Sequence, residues 1–501
     1  MLATGVHLVA VASAKRNSIK TVDKLHRFLF SSGMKKEPVK QNSPSKAPPR
    51  APKGTLLDFS VASLDAEGYG LATHENRQVL ISGALPGELV RAKITHAGAR
   101  TYFAETVAVL RRSPHRLTSP PCPHLPQCDG CPLIALQYPA QLAWKRSRVA
   151  DALARYNSLA DTVCADVIPS PQRLGYRNSA KLVIAGKFTA PVIGIYRRNS
   201  HDVIDISACP LHHPLINRVI AAAKEGIRKG KVPVYSLRSG SGLLRYLVVR
   251  VAPEENRVMV VFVTTERGYN AVHHLAKAVR TAVPEVMVVA ENINTSTGNT
   301  ILGPRDTFIT KEQALTAAIG PVRFTLSPRS FFQINSGAAG IIYETVQQWA
   351  DLTGRERVVD LYCGVGGLAL FLADKAREVI GIEAVAAATK DAEENARLNG
   401  RENCRFITGD ASGHLDMMRR NRQQVDLITL NPPRKGCDEA VLRDAAGLAP
   451  ARMIYVSCSP ETLARDLEIL SCQGYRTIRV QPVDMFPQTP HVENVALLER
   501  S

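Results

Sequence analysis

The sequence predicts a protein of several folded units that ends in a doubly wound α/β domain. Three observations carry this prediction. The chain has 501 residues, more than one hydrophobic core fills. Short alternating segments separated by turns occupy the region from Leu56 to Val109, and the last third alternates strand-forming with helix-forming segments. We therefore expect a small β-barrel, an α+β region and an α/β domain, in that order along the chain.

The charge of the chain indicates a polyanionic partner. Lys and Arg number 63 against 45 for Asp and Glu, a formal net charge of +18. Basic side chains placed on phosphates release counterions, so nucleic acid is the favoured partner. The most apolar stretch, 247–263, is interrupted by charged residues, so we expect a soluble, cytoplasmic protein without a membrane partner.

The N-terminal residues 1–54 are predicted to form a basic, disordered tail. The segment Met34–Gly54 is rich in Lys, Pro and Ser and nearly free of large apolar residues, so it cannot bury enough surface to fold. The first residues lack the charged region that opens a secretory signal. An amphipathic organelle presequence and a start at Met34 both remain open.

Residues 55–113 are predicted to form the small antiparallel barrel. Turns are expected at Glu67-Gly68, Glu75-Asn76 and Pro86-Gly87. Some basic and aromatic side chains on this unit are candidates for contact with nucleic acid, although scattered charges on a barrel can also be merely solvated. They are Arg77, Arg91, Lys93, Arg100 and Tyr102.

Residues 114–325 are predicted to be an α+β region with a metal or cluster site. Its strongest local signal is a hairpin over 246–266, followed by a helix around His273 to Thr281. It opens with three closely spaced cysteines, and a fourth follows far along the chain: Cys122, Cys128, Cys131 and Cys209. Four thiolates can bind zinc or an iron–sulfur cluster, and the spacing leaves both open beside the weaker alternative of unligated thiols.

Residues 326–501 are predicted to be a Rossmann-like α/β domain with a ligand at the carboxyl ends of its strands. Gly364 and Gly366 allow a ligand to approach the backbone after the first strand. Glu383 closes the second strand, where a carboxylate can accept hydrogen bonds from ribose hydroxyls, and Asp410 ends the third. The glycine spacing also fits a dinucleotide site. The Asn431-Pro432-Pro433 turn favours a methyltransferase instead, because hydride transfer has no use for it.

Cys458 is the candidate nucleophile. It directly follows a predicted strand, and Ser459-Pro460 turns the chain there, whereas most buried cysteines are only small apolar residues. A thiolate would suit methylation of uracil C5, which becomes nucleophilic only after an addition at C6. Glu493 is a candidate for the base that removes the C5 proton, although spacing alone does not select it over other carboxylates.

These residues together resemble the RNA uracil-5-methyltransferases that act on bacterial 23S rRNA and on tRNA. The resemblance extends from Leu56 to Arg500. The motifs Gly68-Tyr69-Gly70 and Ala84-Leu85-Pro86-Gly87-Glu88 look like those of a TRAM domain, an OB-like RNA-binding module. The resemblance implies that the four cysteines hold a [4Fe–4S] cluster rather than zinc.

The resemblance also implies roles for the residues of the C-terminal domain. It implies that S-adenosylmethionine is the methyl donor and that Gln333, in a Ser-Phe-Phe-Gln-Ile-Asn motif, contacts it. Tyr362, Glu383 and Asn431 match the other donor contacts, Cys458 the nucleophile and Glu493 the base. Some members carry Asp where this chain has Asn431, and an amide cannot act as a base.

The TRAM-like module favours 23S rRNA as the substrate, with tRNA as the near alternative. A non-catalytic RNA-binding or assembly factor would be expected to lose the nucleophile or donor residues, and neither is lost. An RNA cytosine-5-methyltransferase would be expected to have a cysteine directly after the proline of the fourth-strand motif, where this chain has Arg434. We further expect a monomer with no DNA partner.

Overall fold

The computed structural model describes residues 51–198, 200–296, 298 and 300–501. The predicted disordered tail, the organelle presequence and the alternative start at Met34 therefore lie outside the described residues, apart from positions 51–54. Within the described part, no helix is long and apolar enough to cross a membrane.

The first sheet is built from short strands in which buried and exposed residues alternate, as in β5, where Val90, Ala92 and Ile94 are fully buried. Its strands are β1 (Leu56–Ser60), β2 (Ser63–Leu64), β3 (Gly70–His74), β4 (Arg77–Ser82), β5 (Leu89–Ala97) and β6 (Thr101–Arg111). They pair in the order β1-β5-β6-β4-β3-β2.

The three turns predicted for this sheet are confirmed. Glu75 and Asn76 join β3 to β4 with φ of 47° and 61°, and Gly68 and Gly87 have φ of 83° and 80°. All strand pairs described in this sheet are antiparallel except β4 with β6, which is parallel. The chain passes from β4 over β6 to β5 and then returns antiparallel as β6, so that β6 runs in the direction of β4. Strands β1 and β2 end the paired order without pairing with each other in the described residues, so closure into an OB-like barrel stays a prediction.

The next elements are helix α1 (Tyr138–Leu153), the 3-10 turn Asn157–Leu159 and the short strand β7 (Val163–Cys164). A loop of irregular structure that contains Cys122, Cys128 and Cys131 precedes them. Pro139 stands in the first turn of α1, where its missing N–H costs nothing.

The second sheet has two helices on one of its faces. The elements are β8 (Ser179–Lys187), β9 (Ala190–Tyr196), β10 (Val203–Asp205), α2 (Pro214–Lys229), β11 (Leu244–Ala252), β12 (Arg257–Thr264), α3 (Tyr269–Ala282), β13 (Val286–Ile293) and β14 (Arg305–Phe308). Their order is β10-β9-β8-β11-β12-β13-β14. The predicted hairpin is confirmed as β11 paired with β12, and the predicted helix as α3. Because α3 crosses over between β12 and β13, that pair alone in the sheet is parallel.

The third sheet carries the predicted alternation of strands and helices. A hairpin, β15 (Leu315–Ile319) with β16 (Val322–Leu326), and helix α4 (Ser336–Ala350) lead into it. The remaining elements are β17 (Arg357–Leu361), α5 (Gly367–Leu372), β18 (Glu378–Glu383), α6 (Ala386–Leu398), β19 (Cys404–Thr408), α7 (Ala411–Arg420), β20 (Leu427–Leu430), α8 (Glu439–Gly447), β21 (Arg452–Ser457), α9 (Pro460–Ser471), β22 (Tyr475–Val483) and β23 (Glu493–Arg500).

The third sheet is doubly wound, in the order β19-β18-β17-β20-β21-β23-β22-β7. Strands β17 to β21 are mutually parallel, as predicted, and their helices cover both faces. Strand β23 enters between β21 and β22, antiparallel to both. The sheet is therefore mixed, and the first residues of β23 lie at the same edge as the last residues of β21.

Two features join the second and third sheets. Residues of β11 and β12 that face away from α2 and α3 belong to one core with the β15–β16 hairpin, α4 and α5. The segment of α1 and β7 also packs on the third sheet: Val149 and Leu153 lie in its core, and β7 pairs with β22. The predicted central unit, 114–325, thus includes a segment whose partners are in the predicted last unit, 326–501.

Candidate active site

The loop after β17 is shaped by residues with positive φ. Tyr362, Gly364 and Gly366 have φ of 60°, 56° and 86°. A Cβ atom on Gly366 would lie 3.1 Å from the Phe406 ring, and one on Gly367 only 2.5 Å from the Tyr343 hydroxyl. A Cβ atom on Gly364 would meet nothing within 4 Å among the described residues. The loop therefore packs tightly on the protein side and leaves open space beside Gly364.

Two carboxylates hold this loop. Asp360, buried at the end of β17, accepts hydrogen bonds from the Thr429 hydroxyl at 2.6 Å and from Ala369 N–H at 3.2 Å, which ties β17 to β20 and α5. Burial raises the pKa of Asp360 to about 7. Glu383 accepts bonds from Gly364 N–H at 3.1 Å and Val385 N–H at 2.9 Å. Sequence reasoning did not single out Asp360; its isolation among apolar strand residues was the available signal.

Asp410 has a different role from Glu383, although both follow strands. Its side chain accepts a hydrogen bond from Gly413 N–H at 3.0 Å and caps the N-terminus of α7. This capping contact accounts for the carboxylate at that position.

The segment that contains Gln333 lies between the second and third sheets. The Gln333 carbonyl accepts a bond from the Asn178 amide at 2.8 Å, and its side chain opposes the rise that burial causes in the pKa of Tyr343. Asn335 caps α4 and donates to Ser170 at 3.0 Å and to the Met485 carbonyl at 2.9 Å. Gln333 is thus held beside the tyrosine that packs on the glycine loop.

Cys458 and Glu493 are brought together by strand register. Ser457, the last residue of β21, pairs with Asn494, so Cys458, directly after β21, and Glu493, the first residue of β23, face each other at the sheet edge. The Asn494 amide also donates to the Ser457 carbonyl at 3.1 Å. Ser459 caps α9 and turns the chain directly after Cys458. Spacing in the sequence did not select Glu493; the register does.

Charges couple Cys458, Glu493 and Arg434. Burial raises the pKa of Glu493 to about 8, and the Arg434 guanidinium opposes that rise. Burial and then the Glu493 charge raise the pKa of Cys458, whereas the charge and hydrogen bond of Arg434 lower it. Arg434 also lies 3.4 Å from the His491 ring, whose pKa burial lowers to about 4. Arg434 was considered in the sequence only as a non-cysteine, and its role beside Cys458 was missed.

Five predicted site residues follow the edge of the third sheet in strand order. Neighbouring strands end in or begin with these half-buried residues: Glu383 on β18, Tyr362 after β17, Asn431 after β20, Cys458 after β21 and Glu493 on β23. Adjacent strands lie about 4.8 Å apart, so the row spans on the order of 20 Å. Tyr343 connects the sixth predicted site residue, Gln333, to this row. Burial raises the pKa of Tyr343, and the charges of Asp360, on β17, and of Glu493, in the row, add to that rise.

A buried ion pair holds the loop that leads to Glu493. Lys145 on α1 pairs with Asp484, and both side chains are fully buried. The Tyr138 hydroxyl donates to Asp484 at 2.8 Å, and Lys145 also donates to the Phe486 carbonyl at 3.1 Å. The segment of α1 thereby fixes the chain between β22 and β23.

The four predicted ligand cysteines lie in one region of the molecule. The pKa of Cys131 is raised to about 12, mainly by burial and in part by the charges of the other three cysteines, while the charge of Arg177 opposes the rise. In the described part of the chain, no group of three or more His, Cys, Asp or Glu side chains is arranged to hold a metal ion. Arg177, whose buried Nε finds no hydrogen-bond partner, lies near enough to Cys131 to act on its pKa. Four thiols with an unsatisfied cation beside them suit an anionic cluster.

The loop of the first three cysteines contacts the first sheet and the loops beside the second and third sheets. Ser82 on β4 donates to Asp129 at 3.3 Å, and Ala208 N–H donates to the His124 ring at 3.3 Å. Leu133 N–H donates to the Gln488 carbonyl at 3.1 Å, in the loop that precedes Glu493. This cysteine loop therefore lies between the first sheet and the candidate active site.

The first sheet contradicts part of the predicted contact surface for nucleic acid. Tyr102 is fully buried and its hydroxyl accepts a bond from Ala51 N–H, while Arg77 is buried over the Tyr102 ring. Arg91 forms two hydrogen bonds with Asp58 at 2.7 and 2.9 Å. Phe103, missed in the sequence, is exposed. Neither Tyr102 nor Arg77 is available as a surface contact, because alternation along β4 and β6 turns both inward.

The strand order, the glycine loop and the row of polar residues define the class of protein as a methyltransferase with a doubly wound sheet. A family model for tRNA (uracil-5-)-methyltransferase matches residues 137–501. An RNA methyltransferase of Geobacter sulfurreducens is 58% identical over 452 residues, 90% of this chain and 91% of the relative. An RNA methyltransferase of Caldanaerobacter subterraneus is 37% identical and covers 89% of this chain and 98% of its own.

A solved structure supports the same family. Pyrococcus abyssi tRNA (uracil-54, C5)-methyltransferase in complex with S-adenosyl-L-homocysteine matches with a TM-score of 0.72 and 26% identity, over 88% of this chain and 100% of its own. The chain belongs to the RNA uracil-5-methyltransferase family, whose members use S-adenosylmethionine to methylate RNA.

Proposed function

We propose that this protein methylates carbon 5 of a specific uridine in 23S rRNA, with Cys458 as covalent nucleophile and Glu493 as base. The row of five residues along the edge of the third sheet carries the proposal. It puts a thiol and a carboxylate beside each other at one end, and the carboxylate Glu383 with the open glycine loop at the other.

The two ends of the row divide the chemistry. Gln333, Tyr362, Glu383 and Asn431 would bind S-adenosylmethionine, which supplies an electrophilic methyl group when bound. The Cys458 thiolate adds to C6 of the uracil, and the electron pair displaced towards C5 makes that carbon nucleophilic. After methylation, the Glu493 carboxylate takes the C5 proton, the C5–C6 double bond forms again and the thiolate leaves.

Arg434 and Asn431 would support these steps. The guanidinium of Arg434 favours both the thiolate of Cys458 and the carboxylate of Glu493, which burial disfavours. The side-chain amide of Asn431 can donate and accept hydrogen bonds at the uracil edge or the donor, but it takes no proton. Glu493 is therefore the carboxylate that removes the C5 proton.

We also propose that Cys122, Cys128, Cys131 and Cys209 hold a [4Fe–4S] cluster. Two observations support a cluster with net negative charge: the other three cysteines lie close enough to add to the raised pKa of Cys131, and the buried Nε of Arg177 finds no partner among the described residues. The cluster would join the cysteine loop to the segment before α2.

The RNA would extend from the sheet edge to the first sheet. Exposed Phe103, Val107 and Leu110 on β6 and the basic composition support a TRAM-like RNA-binding role there. Transfer RNA is the second candidate substrate, because the matching family model and the solved Pyrococcus abyssi protein are both named for tRNA.

A covalent adduct tests the mechanism. With radiolabelled S-adenosylmethionine and RNA, Glu493→Gln should accumulate a methylated protein–RNA adduct that survives denaturing electrophoresis, because addition proceeds and elimination stalls. Cys458→Ala should give neither adduct nor product. Full turnover by Cys458→Ala would disprove the mechanism, and an inactive Glu493→Gln without adduct would remove Glu493 from the elimination step.

Nucleoside mass spectrometry tests the substrate. Purified protein is incubated with unmodified transcripts of 23S rRNA and of tRNA, and 5-methyluridine is measured in each. Formation in 23S rRNA alone is the expected result. Formation in tRNA alone would replace the proposed substrate by tRNA, and 5-methylcytidine in either RNA would contradict uracil specificity.

A further inference from the structure

A second concave site lies on the second sheet, away from the row that contains Cys458. Its volume is about 450 Å³, within the range of about 300 to 1,000 Å³ usual for small-ligand sites. Strands β8, β9 and β11, the 201–203 segment and the 235–238 loop line it. It opens on the face that carries Val183 and Tyr246, opposite to the face that packs on α2 and α3.

A β-bulge brings two functional side chains to this cavity. The register between β11 and β12 shifts between Leu244 and Tyr246, so Arg245 is the extra residue. Consecutive residues of a regular strand face opposite sides, whereas here Arg245 and Tyr246 both line the cavity. The Arg245 guanidinium lies 4.9 Å from the centre of the Tyr235 ring and 5.4 Å from that of Tyr246.

Arg245 places a buried positive charge in the wall of the cavity. The side chain is only 4% exposed, and one of its terminal nitrogens donates to the carbonyls of Asn294 at 2.8 Å and Ser296 at 2.6 Å. Its Nε is buried in the wall and finds no hydrogen-bond partner in the described residues. The guanidinium therefore acts on a ligand through its charge rather than through a hydrogen bond from Nε.

The loop that carries Tyr235 is built to approach β11 closely. Gly242 has φ of 111°, and a Cβ atom there would lie 2.3 Å from the Val234 carbonyl oxygen. Ser236 pairs with Ser241 to form a small hairpin that presents the exposed Arg238 to the cavity. Glycine is therefore required at position 242 for Tyr235 to face the cavity.

The lining combines aromatic rings with positive charge. Tyr196, Tyr235 and Tyr246 supply rings; Lys187, Arg238 and Arg245 are cationic, and Asp202 is the single carboxylate. His201 packs edge-on against Tyr196 with ring centres 5.9 Å apart. Rings that stack on bases, beside cations that meet phosphates, are the groups that bind single-stranded nucleic acid.

We infer that this cavity binds one unpaired nucleotide of the substrate RNA, at a distance from the uridine that is methylated. The base would lie against Tyr235, the charge of Arg245 would attract the nucleotide, and Arg238 and Lys187 would pair with the backbone phosphates. The inference rests on the proposed function only in taking RNA as the substrate.

Binding of a fluorescein-labelled oligouridine of about 12 nucleotides to the full chain tests the inference. Tyr235→Ala should weaken binding about tenfold, because stacking on one base is lost. Arg238→Ala should weaken it less, and Tyr235→Phe should bind as the unchanged protein does. Tyr235 is only half-buried and Arg238 is exposed, so neither change empties the core.

A matched pair on the same domain provides the control. Tyr269 is exposed, and the Arg267 guanidinium lies 5.7 Å from its ring centre, outside the cavity. Tyr269→Ala should leave the affinity unchanged. An oligouridine with 4-thiouridine should crosslink to a peptide that contains Tyr235. Equal affinity of Tyr235→Ala and the unchanged protein would overturn the inference, as would an equal loss with Tyr269→Ala or crosslinks confined to other peptides.

The two proposals can fail separately. If the unchanged protein forms no 5-methyluridine but its binding of oligouridine depends on Tyr235, only the proposed reaction is rejected. If methylation is normal and Tyr235→Ala binds oligouridine as the unchanged protein does, only the proposed nucleotide site in the cavity is rejected. Saturable binding of uridine 5′-monophosphate at this site without any oligouridine crosslink would overturn the RNA ligand in favour of a free nucleotide.

Discussion

The thiol of Cys458 and those of the four-cysteine group differ in the elements that hold them. Cys458 directly follows a core strand, and the register of β21 with β23 brings a carboxylate and, through Arg434, a cation beside it. The cysteines at 122, 128 and 131 lie on an irregular loop whose contacts come from the first sheet and from loops beside the second and third sheets. The end of a strand fixes the position of one reactive group, whereas a loop can place several groups around one ligand. We therefore expect the first site to govern the reaction and the second to govern stability.

Exchanging one cysteine in each site should separate these two roles. Cys458→Ala should lower the rate of methylation by at least about a thousandfold, because the nucleophile is lost. It should leave the iron content and the thermal unfolding midpoint unchanged. Cys209→Ala should instead lose iron and unfold at a lower temperature, since the loop loses its link to the segment before α2. Stoichiometric zinc without iron in anaerobically prepared protein would reject the cluster.

The loop between β22 and β23 touches both sites, and its buried ion pair should carry much of the stability. Asp484→Asn leaves Lys145 buried without a charged partner and should lower the free energy of unfolding by about 3–5 kcal/mol. Asp438→Asn breaks an ion pair with Lys435 in which both side chains are exposed, and it should change the free energy of unfolding by less than about 0.5 kcal/mol. Urea unfolding measures both, and equal effects would show that the buried pair does not hold the loop.

Glu493 should lower the free energy of unfolding in the pH range where its side chain loses its proton. Its pKa of about 8 in the folded protein is above the ordinary value of 4.5, so the folded state binds the proton more tightly. Its unfavourable contribution grows as the pH rises from about 4.5 through 8 and is complete above that range. The stability advantage of Glu493→Gln over the unchanged protein should therefore grow by about 4 kcal/mol between about pH 5 and pH 9, since each unit of pKa shift is worth about 1.4 kcal/mol. A gain independent of pH would contradict the raised pKa.

The reactivity of Cys458 should depend on the charges of Arg434 and Glu493 beside it. This is the smallest effect among the four predictions. Alkylation by iodoacetamide, followed at the Cys458 peptide by mass spectrometry, measures the fraction of thiolate. Arg434→Gln should move the midpoint to higher pH and slow alkylation at neutral pH several-fold, because a cation is lost. Glu493→Gln should move it to lower pH. Shifts of the same sign in both variants would show that neither charge acts on the thiol.

Local patterns in the sequence predicted most of the third sheet but not its last strands. The parallel strands β17 to β21 each show a short apolar run followed by a helix, which is a signal carried by neighbouring residues. The insertion of β23 between β21 and β22 depends on pairing between distant residues, which no local pattern reports. The same holds for β7, which pairs with β22 across most of the chain length.

The site shows the same division. Cys458, Glu383 and the glycine loop were predictable because each follows a strand, and the ends of parallel strands meet at one edge. Tyr102 was predicted at the surface and is buried, since the register of β6 and not its composition decides which face it joins. Arg434 and Asp360 were missed because their importance depends on what lies across from them.

The sequence by itself determined the order of strands and helices in the α/β domain, the residues that could do its chemistry and the family to which they belong. Those properties depend on residue type, on period and on short spacings. Tertiary structure alone decided that Glu493 faces Cys458, that Lys145 holds the loop between them, and that a bulge at Arg245 opens a cavity on the second sheet. Register, burial and the charge of neighbours arise only when distant segments pack, and they set the pKa values and contacts from which the function follows.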